Sequence, residues 1–76
     1  MTDQLEARRT VALFIQCQQP DGTWETASSA MDAQNRGDED YAIERLERRR
    51  RMMPQFPFRI VRRTTTTTTE QEALDV

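Results

Sequence analysis

The sequence predicts a small α+β protein in which one helix packs on a three-stranded antiparallel sheet, in the chain order β-β-α-β. Three observations predict this class: an alternating strand that runs into a Pro-Asp-Gly turn, a segment that begins acidic and ends in arginines, and a β-branched run after a proline. A chain of 76 residues has room for one domain with a marginal core. We expect that domain at residues 10–69, between an N-terminal extension (1–9) that could continue the first strand and an acidic C-terminal tail (70–76).

The first strand is predicted at residues 10–18, because apolar and polar side chains alternate there. One face carries Val11, Leu13, Ile15 and Cys17, and the other carries Phe14. Residues 19–23 read Gln-Pro-Asp-Gly-Thr, which favours a tight turn, and residues 23–29 form the returning strand.

Residues 30–37 have no clear period and are interpreted as a connection, and residues 38–53 as the helix. Its acidic first turn and arginine-rich last turn suit the helix dipole, and Pro54 ends it. The predicted apolar stripe consists of Ala42, Ile43, Leu46, Met53 and the stem of Arg50.

The third strand is predicted to begin within residues 56–64 and to continue through the threonine run that ends at Thr69. If it pairs beside the first strand, the sheet order is 2-1-3, and Glu70 and Glu72 lie near Arg8 and Arg9. A 16-residue helix spans roughly 24 Å and a strand over 58–69 roughly 40 Å. The threonine half must therefore project, bend or meet another surface.

The composition argues against an enzyme. The chain has no histidine, no glycine-rich phosphate loop and a single cysteine, Cys17, whose place in the strand pattern favours a buried structural thiol. The acidic run Asp38-Glu39-Asp40 is better explained as a helix cap than as a cation site. We therefore expect no catalytic residues, no cofactor and no metal.

The face of the sheet away from the helix is the preferred binding surface. Placing Gln19 opposite Thr23 sets Trp24 beside Gln18 and Thr26 beside Gln16, on the face of Phe14. An exposed aromatic patch usually marks a contact surface. The predicted partner-binding residues are Phe14, Trp24, Thr26 and Val61. The alternative is that segment 30–37 or a chain end folds over this face.

Arginine clusters suggest a second surface. The candidates for a basic patch are Arg48, Arg49, Arg50, Arg51, Arg59, Arg62 and Arg63. The net charge of −2 does not favour nucleic-acid binding, although it leaves it possible. A solvated helix face is the favoured interpretation of residues 48–51, with Glu44–Arg48 and Glu47–Arg51 as favourable pairs.

The threonine tract, residues 64–69, allows three interpretations. It could accept phosphate, offer an edge for strand pairing, or simply end a β-branched strand; the last is favoured and self-pairing comes next.

The Pro-Asp-Gly-Thr-Trp-Glu hairpin, the arginine-rich helix and the Phe-Arg-Ile-Val-Arg-Arg-Thr-Thr-Thr segment together resemble small uncharacterised proteins of actinobacteriophages, over most of residues 10–70. The absence of lysine fits a GC-rich host. The resemblance implies a phage origin and a small accessory role, such as modulating a host or defence protein or stabilising a virion or replication complex.

These observations predict a non-enzymatic phage accessory protein that binds a protein partner. The alternatives are a nucleic-acid-associated protein and a structural subunit that self-associates, as a homodimer for example, through the Thr64–Thr69 strand. The longest apolar run, Val11 to Ile15, is far below the roughly 20 residues that span a bilayer, so no membrane association is expected. The expected location is the cytoplasm of the infected bacterium, or the virion.

Overall fold

The computed structural model describes residues 9–66 and 69–76, and it combines one helix with a five-stranded antiparallel sheet. The small α+β class predicted from the sequence is confirmed. The elements in chain order are β1 (Thr10–Gln18), β2 (Trp24–Thr26), β3 (Met31–Asp32), α1 (Asp38–Met52), β4 (Phe58–Thr65) and β5 (Thr69–Ala73).

Strand β1 organises the sheet, whose order is β2-β1-β4-β5, with β3 also paired to β1. The first hairpin has the predicted register, since Gln18 pairs with Trp24 and Gln16 with Thr26. Its turn is closed by the N–H of Gln19 donating to the carbonyl of Thr23 at 2.6 Å. Gly22 has a φ of 94°, a left-handed conformation that glycine adopts without strain.

The returning strand is shorter than the predicted 23–29, because the chain leaves β1 after Thr26. The hydroxyl oxygen of Ser28 accepts the N–H of buried Ile15 at 2.9 Å, which satisfies the β1 edge at this break. The chain then rejoins β1 as β3, within the segment that was interpreted as a connection.

Helix α1 ends at Met52, one residue earlier than predicted, and its acidic start does not cap it. The N-cap is Gly37, and no side chain bonds to the helix terminus there. Asp38 instead accepts the backbone N–H groups of Gln34 and Asn35 at 2.9 and 2.7 Å, so its carboxylate closes the preceding loop. The predicted capping role was wrong for Asp38, because the loop offers its carboxylate two nearer donors.

The predicted single strand over 58–69 is in fact two strands. Strand β4 ends at Thr65, and β5 returns along its outer edge, pairing Val61 with Ala73 and Thr65 with Thr69. The expected three-stranded sheet is therefore too small, and residues 69–73 of the expected tail belong to the sheet. This return also removes the length mismatch with the helix.

The second hairpin also changes the partners of the acidic residues. Glu70 and Glu72 pair with Thr64 and Arg62, and β4 separates them from β1, so the predicted proximity to Arg9 was wrong. Arg8 and the rest of residues 1–8 lie outside the described residues, as do Thr67 and Thr68.

The core lies between α1 and one face of the sheet. Its buried residues are Leu13, Ile15, Ala42, Leu46, Phe58 and Ile60. Ile43, Met53 and Cys17 pack against them at the margin. The predicted helix stripe is therefore confirmed for its apolar side chains, whereas Arg50 is exposed and outside the core. Leu74, which follows β5, packs against the core too.

Candidate partner-binding surface

The sheet face away from α1, called the open face below, collects the predicted aromatic residues. Alternation along paired strands puts Phe14 beside Val61 and Trp24 beside Gln18, all pointing away from the core. Among the described residues no helix packs on this side. The residues on the open face include Phe14, Gln16, Trp24, Thr26, Arg59, Val61, Arg63 and Gln71.

The guanidinium of Arg59 lies over the ring of Trp24. The guanidinium carbon is 4.2 Å from the centre of the indole ring, within the range of a cation–π contact. Its Nε donates to the side-chain oxygen of Gln16 at 2.9 Å, and Gln16 is itself buried. Three neighbouring strands therefore supply one packed unit of ring, guanidinium and amide.

Arg63 repeats this arrangement four residues further along β4. Its guanidinium carbon is 4.3 Å from the centre of the Phe14 ring. Its Nε and one terminal nitrogen donate to the side-chain oxygen of Gln71 at 3.0 and 2.8 Å. Because β5 supplies Gln71, the hairpin that the sequence did not predict completes this second unit.

The predicted residues of this face differ in accessibility. Phe14 and Trp24 are half-buried beneath their arginines, and Thr26 is exposed. Val61 lies between Phe14 and Ala73 on the neighbouring strands and is fully buried. In this conformation the side chain of Val61 is therefore inaccessible to a partner.

The segment 30–37, which could have covered the open face, does not do so. Its residues 31–32 pair with Leu13 and Ala12 at the edge of the sheet, and Asp38 holds the loop at Gln34 and Asn35. Because β3 pairs with β1 in the plane of the sheet, this segment extends the sheet and does not cover its open face.

Charge is sorted between the two sides of the sheet. Glu25, Glu70 and Glu72 pair with residues that face α1, whereas among the described strands only Asp32 is an acid on the open face. Among the described strand positions of the open face, Arg59 and Arg63 therefore outnumber the one acid, although the whole chain carries −2.

The structure divides the predicted basic patch between several surfaces. Arg62 faces α1 and forms salt bridges with Glu39 and Glu72, at 3.5 and 2.8 Å. Arg50 donates to the backbone carbonyls of Phe58 and Val76. The other three arginines of the predicted patch all lie on α1: Arg48, Arg49 and Arg51.

The helical ion pairs expected from spacing do not form. The salt bridges between described residues are both made by Arg62, and neither Glu44–Arg48 nor Glu47–Arg51 is among them. An exposed pair at this spacing contributes only about 0.3–0.5 kcal/mol, because fixing two long side chains in one geometry costs conformational entropy.

Alternation alone could have placed Arg59 and Arg63 on the open face, because both share the parity of Val61 in β4. No sequence pattern indicated the contribution of Gln71, because its place on the open face depends on where the chain reverses between β4 and β5.

Comparison of the chain with protein-family models, with curated proteins and with solved structures gives no significant match. Within the described ranges, no group of three or more metal-ligating side chains comes together. The one helix there is too short and too polar to cross a bilayer.

Proposed function

We propose that this protein is a non-enzymatic binding module that holds a protein partner against its open face. The observation that carries the proposal is the pair of arginine–aromatic units, Arg59 on Trp24 and Arg63 on Phe14, side by side on one sheet face. Tryptophan and arginine are the residue types that dominate binding energy at protein interfaces.

The arginines of these units are already ordered before binding. Each guanidinium is held by a ring and by a glutamine, so a partner does not have to immobilise a free side chain. Among the hydrogen bonds between described residues, Arg59 uses only Nε, and its two terminal nitrogens are donors of the kind that a carboxylate accepts. The partner surface that fits is flat and carries carboxylates.

Single-stranded nucleic acid is the second candidate, because stacked guanidiniums can also receive bases and phosphates. Two facts favour a protein partner over nucleic acid. The rings that would stack bases lie beneath arginines, and the net charge of −2 opposes a long polyanion.

The resemblance to actinobacteriophage proteins leads us to propose a bacterial host or defence protein as the partner. A component of a virion or of a replication complex is the alternative within the same proposal.

Affinity capture from nuclease-treated host lysate tests the proposal with three forms of the chain: wild type, Trp24→Ala and Phe56→Ala. Phe56 is 46% exposed and outside the open face, which makes it the matched aromatic control. We expect one protein to be captured by the wild type and by F56A and lost with W24A. Capture by W24A at the wild-type level contradicts the proposal, provided that circular dichroism shows a folded chain.

Oligonucleotide binding separates the second candidate. Fluorescence anisotropy with single-stranded DNA and RNA, measured from low to physiological salt, should show no binding that depends on Trp24. Tight binding that weakens steeply with salt and is lost in W24A would favour the nucleic-acid function instead.

A further inference from the structure

A polar groove runs between helix α1 and the segment that joins β2 to β3. Its volume is about 720 Å³, within the range of small-molecule sites. The helix contributes Tyr41, Arg45 and Arg49, which lie at four-residue spacing on one face. Ser28, Ser29 and Ala30 line the opposite wall.

The two arginines of the groove form no salt bridge with a described residue. Both are half-buried. Arg45 is steadied by Tyr41, whose hydroxyl oxygen accepts from it at 3.3 Å and whose ring centre lies 5.7 Å from its guanidinium carbon. A smaller cleft on the far side of the same two arginines adds Arg48, so three cations share one helix face.

The acids near the groove do not cancel this charge. Two acids line the groove. Asp32 belongs to β3, where its pairing with Ala12 directs its side chain to the open face, away from α1. Asp38 is the first residue of α1, seven residues before Arg45, which is roughly 10 Å along the axis. Its carboxylate is already occupied by two backbone N–H groups. The arginine end of the groove is therefore cationic and open to an anion.

We propose that this groove binds the phosphate group of a phosphorylated ligand, independently of the open face. Arg45 and Arg49 are one turn apart, roughly 6 Å along the axis, so their guanidiniums can hold one oxyanion from two sides. A phosphate dianion, with three acceptor oxygens, uses such a donor set more fully than a carboxylate does. Tyr41, which is 55% exposed, stands beside that position to contact the group that carries the phosphate.

The test is a titration of the full ¹⁵N-labelled chain with inorganic phosphate, followed by NMR and matched in ionic strength with chloride. We expect saturable shifts at Ser28, Ser29, Arg45 and Arg49. Arg49→Gln should weaken binding roughly tenfold or more, because it removes a charge-assisted contact. Arg51→Gln, an exposed helical arginine outside the groove, should stay within about twofold of the wild type.

Two further titrants identify the source of the phosphate. Tighter binding of AMP than of phosphate, with a shift of the Tyr41 ring signals, assigns the site to a small phosphorylated molecule. Tighter binding of a phosphothreonine peptide assigns it to a phosphoprotein. Shifts that chloride reproduces overturn the proposal. So does a single-stranded oligonucleotide that outcompetes phosphate and loses affinity equally in R49Q and R51Q.

Discussion

At the scale of single residues, the neighbours of each arginine decide what that side chain does. Arg59 lies on a ring, Arg62 bridges two exposed carboxylates, and Arg50 donates to backbone carbonyls. The bridges of Arg62 are solvent-accessible and contribute little, about 0–1 kcal/mol each. The stacking of Arg59 depends on a planar guanidinium, which lysine does not supply.

The hydroxyl of half-buried Ser28 should contribute measurably to stability. Ser28→Ala leaves the N–H of fully buried Ile15 without an acceptor, so we expect a loss of about 1–3 kcal/mol in the free energy of unfolding. Urea denaturation measures it. Ser29→Ala is the matched control and should change stability by less than about 0.5 kcal/mol. Equal effects of the two substitutions would show that the contact does not stabilise β1.

Asp21 gives the first turn a pH dependence. The hydroxyl of Thr23, and then its N–H, donate to the Asp21 carboxylate and hold its pKa below the usual value of 3.8. Because the pKa is lower in the folded state, the stabilisation is present above the unfolded value and is lost as pH falls through the folded one. An NMR titration should find the Asp21 pKa closer to its usual value in Thr23→Val. An unchanged pKa in that variant would contradict the assignment.

At the scale of elements, Leu74 anchors the second hairpin. Its N–H donates to the carbonyl of Ile60 at 2.8 Å and its side chain packs on the core. We expect Leu74→Ala to cost about 1–2 kcal/mol and to speed hydrogen exchange across β5 more than across β1. Val76→Ala, at a position 46% exposed, is the control. If the β5 amides of the wild type exchange without protection, this segment is the C-terminal tail that the sequence predicted and not a strand.

The elements that could be predicted from the sequence are those with local signals. The Pro-Asp-Gly turn sets the first hairpin and its register, and the register then places Trp24 and Phe14 on one face. The helix follows from its charged ends and from Ala42 and Leu46, whose four-residue spacing puts both in the core.

The second hairpin had no such signal. Threonine is favourable in strands, and the run from Thr64 to Thr69 contains no glycine, proline, asparagine or aspartate to mark a reversal. Tertiary contacts favour the reversal of the chain, because β5 pairs with the outer edge of β4 and Leu74 then packs against the core. The Arg63–Gln71 contact depends on this reversal, so the contribution of Gln71 to the candidate site could not be predicted from the sequence.

At the scale of the whole molecule, the described strands end at β5, which forms one edge of the sheet. Thr64 and Thr65 pair on both sides, with β1 and with β5, so they are not available for strand addition. A two-fold pairing of β5 strands centred on Gln71 places Glu70 opposite Glu72 of the other copy. Like charges directly opposite each other are unfavourable, and charged edges are a common protection against association.

We therefore expect a monomer. Light scattering should give the monomer mass at high concentration, and Glu70→Thr should increase self-association by removing one of the opposed charges. A wild-type dimer that is unaffected by E70T would contradict the role of the β5 edge.

The most direct test of the open face as the binding surface is site-specific photo-crosslinking in host cells. A photoreactive residue replaces Ala73, which is exposed on the open face, or Glu44, which is exposed on the helix. We predict a crosslinked protein partner from position 73 and none from position 44. Crosslinks from position 44 alone, or from position 73 to nucleic acid only, would contradict the proposed function.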